Sequence, residues 1–591
     1  MKDWILCAWR HTTERSLLIP VLALHALTLL LVLPRGNFPL NDDWIYAKMV
    51  QTVLTEHHYV QHPFSQPVAV GQILWGALFC AVFGFNYVTL RCSTLVLGIL
   101  GAWATAKCVT ECGASRKAAL LAAFTVSANP IYMNLSYTFM TDIPYYTTMA
   151  LSALFYLRAL RTSRPTDIAL GGVFGVMAVL VRQLALSAGV AYFCAVVYMR
   201  LRRRTEITPR MVAAFFIPWC VGAVALLLWK FGAGEVHAAQ LRFAPGPLVE
   251  RAKTVCLYAV MILTMVGLWV LPWTAARIPA LRDMLTAAGK PRNLMAGLIS
   301  AILALTFMLL IQQTLPVPGN IFHRLGSGGF SITGAYLDGL YRNSWVTAAW
   351  FAATCVALVS AGAFLADMTG LQLAGRAKGS KASKQAVSRG HRAKNPAVSQ
   401  PKNTVTASSE PVLPLPAQRL FLQSLFVLTL GASLSPLIPI VFDRYALALL
   451  LAVILMGAGA FPEGREKRIH PAAMAAGVLL YLFSLAGVHD YLAWNGARWK
   501  AADYLRNEVG ADVKRIDGGF EFNGIYTSQE YMKEKRITDF WKCSRGFQWW
   551  VFDDTYAVAF SPRKGYKALK AFPFTSWMGL GEYRVLALKR D

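Results

Sequence analysis

The chain has 591 residues, 56% of them hydrophobic and 15% charged, with a mean hydropathy of +0.43. A soluble domain carries about 25% charged residues, so this composition excludes a soluble globular protein and points to an integral membrane one. The net charge of +27 would suit a nucleic-acid binder, yet most lysines and arginines fall in short connections between apolar runs. Without an aromatic-interleaved basic face, membrane topology explains that distribution better.

Lys2, Arg10 and Arg15 precede an apolar run from Ser16 to Leu33 that lacks a small-residue cleavage site. This predicts an uncleaved spanning helix that leaves Arg35 to about Thr89 outside the cytoplasm. Within that loop, Pro67 to Phe83 is apolar enough to span. If it crossed, the clusters Lys107/Arg116/Lys117, Arg158/Arg161/Arg164 and Arg200 to Arg204 would all face outward. Charge parity therefore makes it a juxtamembrane or re-entrant helix.

Crossings follow at about Thr89 to Ala106, Ala118 to Met133, Ile143 to Leu157, Asp167 to Val181, Leu184 to Tyr198 and Met211 to Trp229. They continue at Thr254 to Trp273, Leu294 to Ile311 and Trp345 to Leu365. Residues 1–366 thus form an N-terminal membrane module whose outer loop, 35–89, carries the polar chemistry. From Gly375 to Gln418 the sequence turns to Lys, Ser, Gly, Ala and Pro with a single acid, Glu410, and no apolar periodicity, so residues 367–418 read as a disordered, basic cytoplasmic linker.

Three more runs, Leu420 to Val441, Tyr445 to Phe461 and Ala472 to Val488, complete membrane residues 419–488. The total is about thirteen crossings of roughly 20 residues or slightly fewer. An odd number leaves residues 489–591 outside with the first loop, where a helix about Ala497 to Val509, stopped by Gly510, and β-rich runs such as Tyr556 to Phe560 and Tyr583 to Leu588 predict a small α/β domain. The predicted fold class is mainly α, a polytopic helical membrane protein with that extracytoplasmic domain. Of the ten cysteines, nearly all lie in or beside apolar runs, and no disulfide framework or zinc spacing stands out.

The candidate chemistry gathers at the outer face. Asp42 and Asp43 lie just beyond the first span, where adjacent carboxylates can be tuned as a general base or can share a cation. Asp42 also reads as the cap of an amphipathic helix from Asp43 to about Leu54. Asp142 opens the helix Thr141-Asp142-Ile143-Pro144 at the same face, either as a helix start or as a third functional acid. Arg182-Gln183 and Asp443-Arg444-Tyr445 fall at outward turns. Their guanidiniums suit phosphate, or Arg182 snorkels and Asp443 pairs with Arg444. His57, His58 and His62 crowd the outer loop, where imidazoles near carboxylates can bind zinc or stand as structural or exposed side chains; their spacing matches no standard site. Trp549-Trp550 and Asp553-Asp554 read as a strand end and turn, or as an acceptor surface.

Taken in order, these segments resemble the GT-C superfamily of integral-membrane glycosyltransferases that use lipid-phosphate-linked sugars, in its protein O-mannosyltransferase and aminoarabinose-transferase-like branch. Asp42-Asp43-Trp44-Ile45-Tyr46-Ala47 resembles that branch's Asp-Glu-x-Arg-Tyr-Ala segment, with Asp43 for Glu and Ile45 for Arg. Phe83-Gly84-Phe85-Asn86 with Leu90-Arg91, the acid before Ile143-Pro144, and the late Arg444-Tyr445 turn are similar to its other landmarks. His62-Pro63-Phe64-Ser65-Gln66-Pro67 stands where the family has Lys-Pro-Pro or His-Pro-Pro, with Gln66 or Ser65 in place of a phosphate-binding lysine.

The resemblance implies inverting transfer of a sugar from a polyprenyl-phosphate donor to a lipid, glycan or protein acceptor at the periplasmic face of a cell inner membrane. It implies catalytic Asp42, Asp43 and Asp142, donor-phosphate binding by Arg182, Arg444 and Gln183, and further pocket residues Tyr46, His62, Gln66 and Tyr445. No cofactor is required by this scheme, and a divalent metal is compatible with it. The competing reading, a transporter or lipid flippase, calls for acids near mid-bilayer, whereas the apolar cores here are nearly free of Asp and Glu.

Overall fold

Local sequence already breaks and starts the helices. Ser115 accepts the Ala118 N–H at 3.3 Å, opening Arg116–Ser127. Asn129 then accepts from Ile131 and Tyr132, at 2.9 Å each, and Pro130 starts a new helix, Pro130–Ser136. The two helices meet at a 68° bend where the sequence predicts one run. Asn86 likewise caps Tyr87–Glu111 through the Thr89 N–H.

The computed structural model describes residues 16–591 except 66, 203–205, 233–246, 280–281, 283–294, 296–297, 301, 308–313, 317–318, 329–336, 366–415, 435–441, 462–468, 538–543 and 546–547. The expected linker at 367–418 lies almost wholly outside the described residues. The expected runs are otherwise occupied by helices. These are Leu18–Leu31, Tyr87–Glu111, the bent pair, Asp142–Thr162, Pro165–Val181, Ser187–Leu201, Pro209–Gly232, Leu248–Trp269, residues 298–307, Ser344–Leu365, Pro416–Ser433, Leu447–Gly457 and Pro471–Asp503. Among the described residues five helices are long and apolar enough to cross a bilayer, or six if the bent pair is one span. The remainder fall short in length, such as the 14-residue Leu18–Leu31, or in hydropathy, as the 21-residue Asp142–Thr162 does. The count of about thirteen is therefore a reading of apolar runs, and helix length and hydropathy together support five or six among the described residues. The chain is a multi-pass membrane protein, mainly helical, with a small sheet at its C-terminal end.

Small residues set the helix spacing, as they do where lipid supplies no hydrophobic drive for association. A Cβ on Gly101 would stand 2.6 Å from Thr147 Oγ1, and one on Gly171 would stand 2.6 Å from the Tyr156 ring. Asp142–Thr162 can thus lie close against both Tyr87–Glu111 and Pro165–Val181, buried along most of its length. Its N-terminal residue, Asp142, is held rigidly at the end of that packed core.

The outer loop carries Asp43–Glu56 and Val70–Phe83, the latter matching the run expected to stay out of the crossing count. The final helix, Pro471–Asp503, has 33 residues and is about 50 Å long at 1.5 Å per residue. It does not stop near residue 488. The separate helix expected about Ala497 to Val509 is its continuation, closed by a π-helical turn, Tyr504–Glu508. Beside it lies a four-stranded sheet in the order Ile516–Asp517, Tyr556–Ala559, Gly581–Arg590, Tyr566–Ser576, antiparallel apart from its first pair. Asp490 ties the sheet to the helix by accepting the Ser576 hydroxyl at 2.5 Å and the Trp577 and Met578 N–H groups at 2.7 and 3.1 Å.

Candidate active site at the outer face

The site starts at a sharp turn. Asn41 takes the left-handed conformation, φ 55°, and the next residue sits at the start of Asp43–Glu56. Asp42 makes no side-chain cap there, so the capping role read from the sequence is replaced by another. Its carboxylate points to Arg444, with Oδ2 3.6 Å from Nη2. Asp43 turns to a different partner. It is fully buried, and its Oδ1 accepts the Phe139 N–H at 2.9 Å. Gln72 donates to the Phe139 carbonyl at 2.6 Å, so two side chains of the outer loop clamp the segment that leads into Asp142.

Asp142 joins the two arginine turns. Its Oδ1 lies 2.7 Å from Arg182 Nη2 and its Oδ2 lies 4.0 Å from Arg444 Nη1. Arg182 Nε also donates to Thr141 Oγ1 at 2.9 Å. The arginines are stacked on rings: Arg182 over Tyr145 and Tyr445, and Arg444 over Phe442 and Tyr445. Each turn is a short 3-10 segment, Gln183–Leu186 after Arg182 and Asp443–Ala446 around Arg444. Such tight turns present a guanidinium without extending a helix past it.

Asp443 does not pair with Arg444 as the sequence suggested. Its Oδ2 accepts three successive N–H groups, those of Asn320, Ile321 and Phe322, at 3.1, 2.9 and 2.8 Å. Its Oδ1 accepts the Arg444 N–H at 2.7 Å. Asp443 therefore fixes the turn, and Arg444 is left for the cluster.

The result is an alternating chain, Asp42, Arg444, Asp142, Arg182, with Asp142 1% and Arg444 11% exposed. Burial drives the Asp42 carboxyl above its ordinary range; Arg444 opposes this, while Asp142 and Glu521 reinforce it. Burial also pushes Asp43 up to about 8 against the pull of Arg91, and Asp443 up to about 6 against its backbone donors. Arg444 Nε and Nη1 are buried without a hydrogen-bond acceptor. Unused guanidinium donors beside a carboxylate of raised pKa can bind an anion and take a proton. Because Arg444 stands between Asp42 and Asp142, its charge fills the place a shared cation would take. Among the described residues no group of three His, Cys, Asp or Glu side chains is placed to hold a metal ion.

The other candidates divide. Tyr46, one turn beyond Asp42, is buried within the field of Asp42, Arg444, Arg182 and Asp142, and Tyr445 lies under both guanidiniums. His62 is packed edge-on to Trp44 at 5.4 Å, where burial and then Lys48 lower its pKa to about 4. A neutral, ring-packed imidazole there is part of an aromatic cluster. His57 and His58 are exposed. Gln66 and the Gln183 side chain lie outside the described residues. Trp550 is fully buried, stacked on Phe64 at 5.2 Å and edge-on to Trp44, so it joins the C-terminal module to the outer loop. Sequence reasoning passed over Tyr145 and the pair Arg498–Glu521, whose Nη2 and Oε2 are 2.7 Å apart. Nothing local in the sequence marks that pair, since its partner in the outer loop, Asn41, is 480 positions from Glu521.

With this geometry in view, comparison with known proteins is informative. Residues 65–229 match the family model described as dolichyl-phosphate-mannose-protein mannosyltransferase. Over these residues the chain resembles a GT-C glycosyltransferase. The matched stretch carries Val70–Phe83, Asp142 and Arg182, so the resemblance read from short motifs extends to the helices that hold two members of the cluster. Among solved structures the chain is similar to ArnT from Cupriavidus metallidurans bound to undecaprenyl phosphate. The identity is 12%, the coverage 96% of this chain and 97% of that one, and the TM-score 0.41. It is also similar to the oligosaccharyltransferase AglB from Archaeoglobus fulgidus in complex with an inhibitory peptide and a dolichol-phosphate, at 12% identity, covering 83% of this chain and 58% of that one, with a TM-score of 0.33. No curated protein matches the chain.

Proposed function

We propose that the chain is a membrane glycosyltransferase that moves a sugar from a polyprenyl-phosphate donor to a hydroxyl or amine acceptor at the outer face of a cell inner membrane, with inversion. The observation that carries this reading is the alternating chain Asp42–Arg444–Asp142–Arg182 beside the membrane helices, largely closed from solvent except at Asp42, which is 24% exposed. In the reaction the acceptor oxygen or nitrogen attacks the anomeric carbon from the face opposite the phosphate. The bond between that carbon and the phosphate oxygen breaks, and its electron pair leaves with the lipid phosphate. Asp42, its pKa raised chiefly by burial, takes the acceptor proton. A positioned base of this kind is worth about a hundred- to ten-thousand-fold in rate.

Arg444 and Arg182 receive the negative charge that grows on the departing phosphate, in a dry site where such stabilisation is strongest. Asp142 neutralises the arginines between turnovers and orients both, while Asp43 holds the Phe139 segment in place. Lipid delivery dispenses with a nucleotide-binding domain, and the C-terminal module faces the acceptor side. The test uses purified protein in nanodiscs with radiolabelled polyprenyl-phosphate hexoses and pentoses and an envelope lipid extract as acceptor. Transfer should occur and should collapse in Asp42→Asn. Undiminished transfer by that variant would falsify the base assignment.

A further inference from the structure

The turn that aims Asp42 is not held by the membrane region alone. The Asn41 N–H donates to Glu521 Oε1 at 2.9 Å, and Glu521 Oε2 is 2.7 Å from Arg498 Nη2. Glu521 lies on the short helix Phe520–Tyr526 of the C-terminal module, and Arg498 lies on the outer part of Pro471–Asp503, flanked by Trp494 and Trp499. Both charges are nearly completely buried, at 6% and 3% exposure. A buried ion pair is poor value as a stabiliser, because apolar residues of the same volume usually do as well or better. Its presence here calls for a reason other than stability.

That reason is next to it. Asn41 is in the left-handed conformation, one that asparagine tolerates better than most residues and that turns the chain sharply into Asp42. The N–H of that residue is the group Glu521 accepts, and the following residue is Asp42. The contact is reinforced by close packing: a Cβ on Gly524 would stand 2.5 Å from Trp44 Cζ2, and Trp44 meets Phe520 and Trp550 edge-on at 6.2 and 6.0 Å. The helix Asp43–Glu56 is therefore seated on the module at its first turn.

We propose that Glu521, itself oriented by Arg498, is a positioning residue for Asp42, so that the C-terminal module sets the direction of the transferase base. The proposal rests on the glycosyltransferase reading above. Asp42 is faced by Arg444 from the Asp443–Ala446 turn, Asp142 from its helix mouth, Tyr46 from its own helix and Glu521 from the module, with Asp43 adjacent. Of these, Glu521 is a negative charge contributed from outside the membrane region. Its carboxylate makes it harder for Asp42 to ionise, which strengthens Asp42 as a base and places the acid limb of the activity profile at higher pH.

Two substitutions separate the hydrogen bond from the charge. Glu521→Gln retains an acceptor for the Asn41 N–H and removes the charge; Glu521→Ala removes both. Transfer by the full-length protein in nanodiscs is measured across pH with the labelled polyprenyl-phosphate hexoses and pentoses and the envelope lipid extract. The Asp42 carboxyl is titrated in parallel by its protonated infrared band, assigned by its loss in Asp42→Asn. Glu521→Gln should keep kcat within about threefold while the acid limb and the infrared midpoint both move down by on the order of half a pH unit. Glu521→Ala should lower kcat by about 10- to 100-fold with KM for the lipid donor unchanged.

An unmoved infrared midpoint in Glu521→Gln, or full kcat in Glu521→Ala, overturns the proposal and leaves the transferase reading standing. A rise in KM with kcat intact overturns it too, by making Glu521 a binding residue. Undiminished transfer by Asp42→Asn removes both. The infrared titration needs no turnover, so it decides the electrostatic effect of Glu521 even for a variant that is slow.

Discussion

The outer-face cluster and the C-terminal sheet both pair acids with bases, in opposite settings. In the cluster the side chains of Arg444, Arg182 and Asp142 are 11%, 15% and 1% exposed. On the sheet side Arg515 and Asp553 are 55% and 41% exposed, and Lys514 and Glu530 are 42% and 54%. Exposed pairs of that kind are worth about 0–1 kcal/mol and dissolve in salt. Burying the same charges costs several kcal/mol per ion before attraction offsets it. Where the protein accepts the larger cost, the charges serve something besides folding, and the comparison can be attacked at both ends.

The largest expected effect in the cluster outside the base itself is at Arg444. Arg444→Ala removes the guanidinium proposed to receive the phosphate charge and leaves Asp42 and Asp142 without the cation between them, so transfer should fall by about 10²- to 10³-fold. Arg444→Lys should recover only part of this, because an ammonium lacks the planar fork; equal rates for the two variants would show that charge alone matters. At Arg182, alanine should weaken binding of undecaprenyl phosphate by about tenfold, measured by quenching of tryptophan fluorescence, since a charged hydrogen bond contributes roughly 1.5 kcal/mol or more. Unchanged affinity would place the phosphate elsewhere.

A subtler break concerns Asp43, which burial raises to about 8. A carboxyl raised in the folded state contributes its full stability only below the unfolded value near 4, and that contribution is lost as pH climbs to about 8. Asp43→Asn keeps an acceptor for the Phe139 N–H but cannot ionise. The Tm of the wild type relative to this variant should therefore decline between pH 5 and pH 8. Parallel Tm curves would count against a buried, titrating Asp43. The smallest effect is expected on the sheet: Lys514→Ala, which breaks the exposed pair with Glu530, should change stability by no more than about 1 kcal/mol and leave transfer intact. A large loss there would erase the contrast between the two regions.

Much of this was legible locally. Apolar runs gave the helices, because hydropathy depends on residues close together in the chain; the caps at Ser115 and Asn129 appear only in the structure. Arg182 and Arg444 were legible as arginines set apart from the basic clusters that the charge bias explains. The bend at Pro130 was also available, in the Asn129-Pro130 pair, and was read through as one run. The extension of the last helix past residue 488 was missed because the sequence loses its hydropathy there while keeping its helix-forming residues.

By itself, then, the sequence determined that the protein is a helical membrane chain with acids and arginines displayed at one face, since patterning and charge bias act over a few residues. Which of two neighbouring aspartates meets Arg444 and which meets Phe139, and that Asp443 serves the 320–322 backbone, were decided only by tertiary structure. So was the reach of Glu521 across 480 positions to Asn41. The physical reason is that burial and ion pairing depend on distance through space, and successive side chains on a helix, about 100° apart, can face entirely different neighbours.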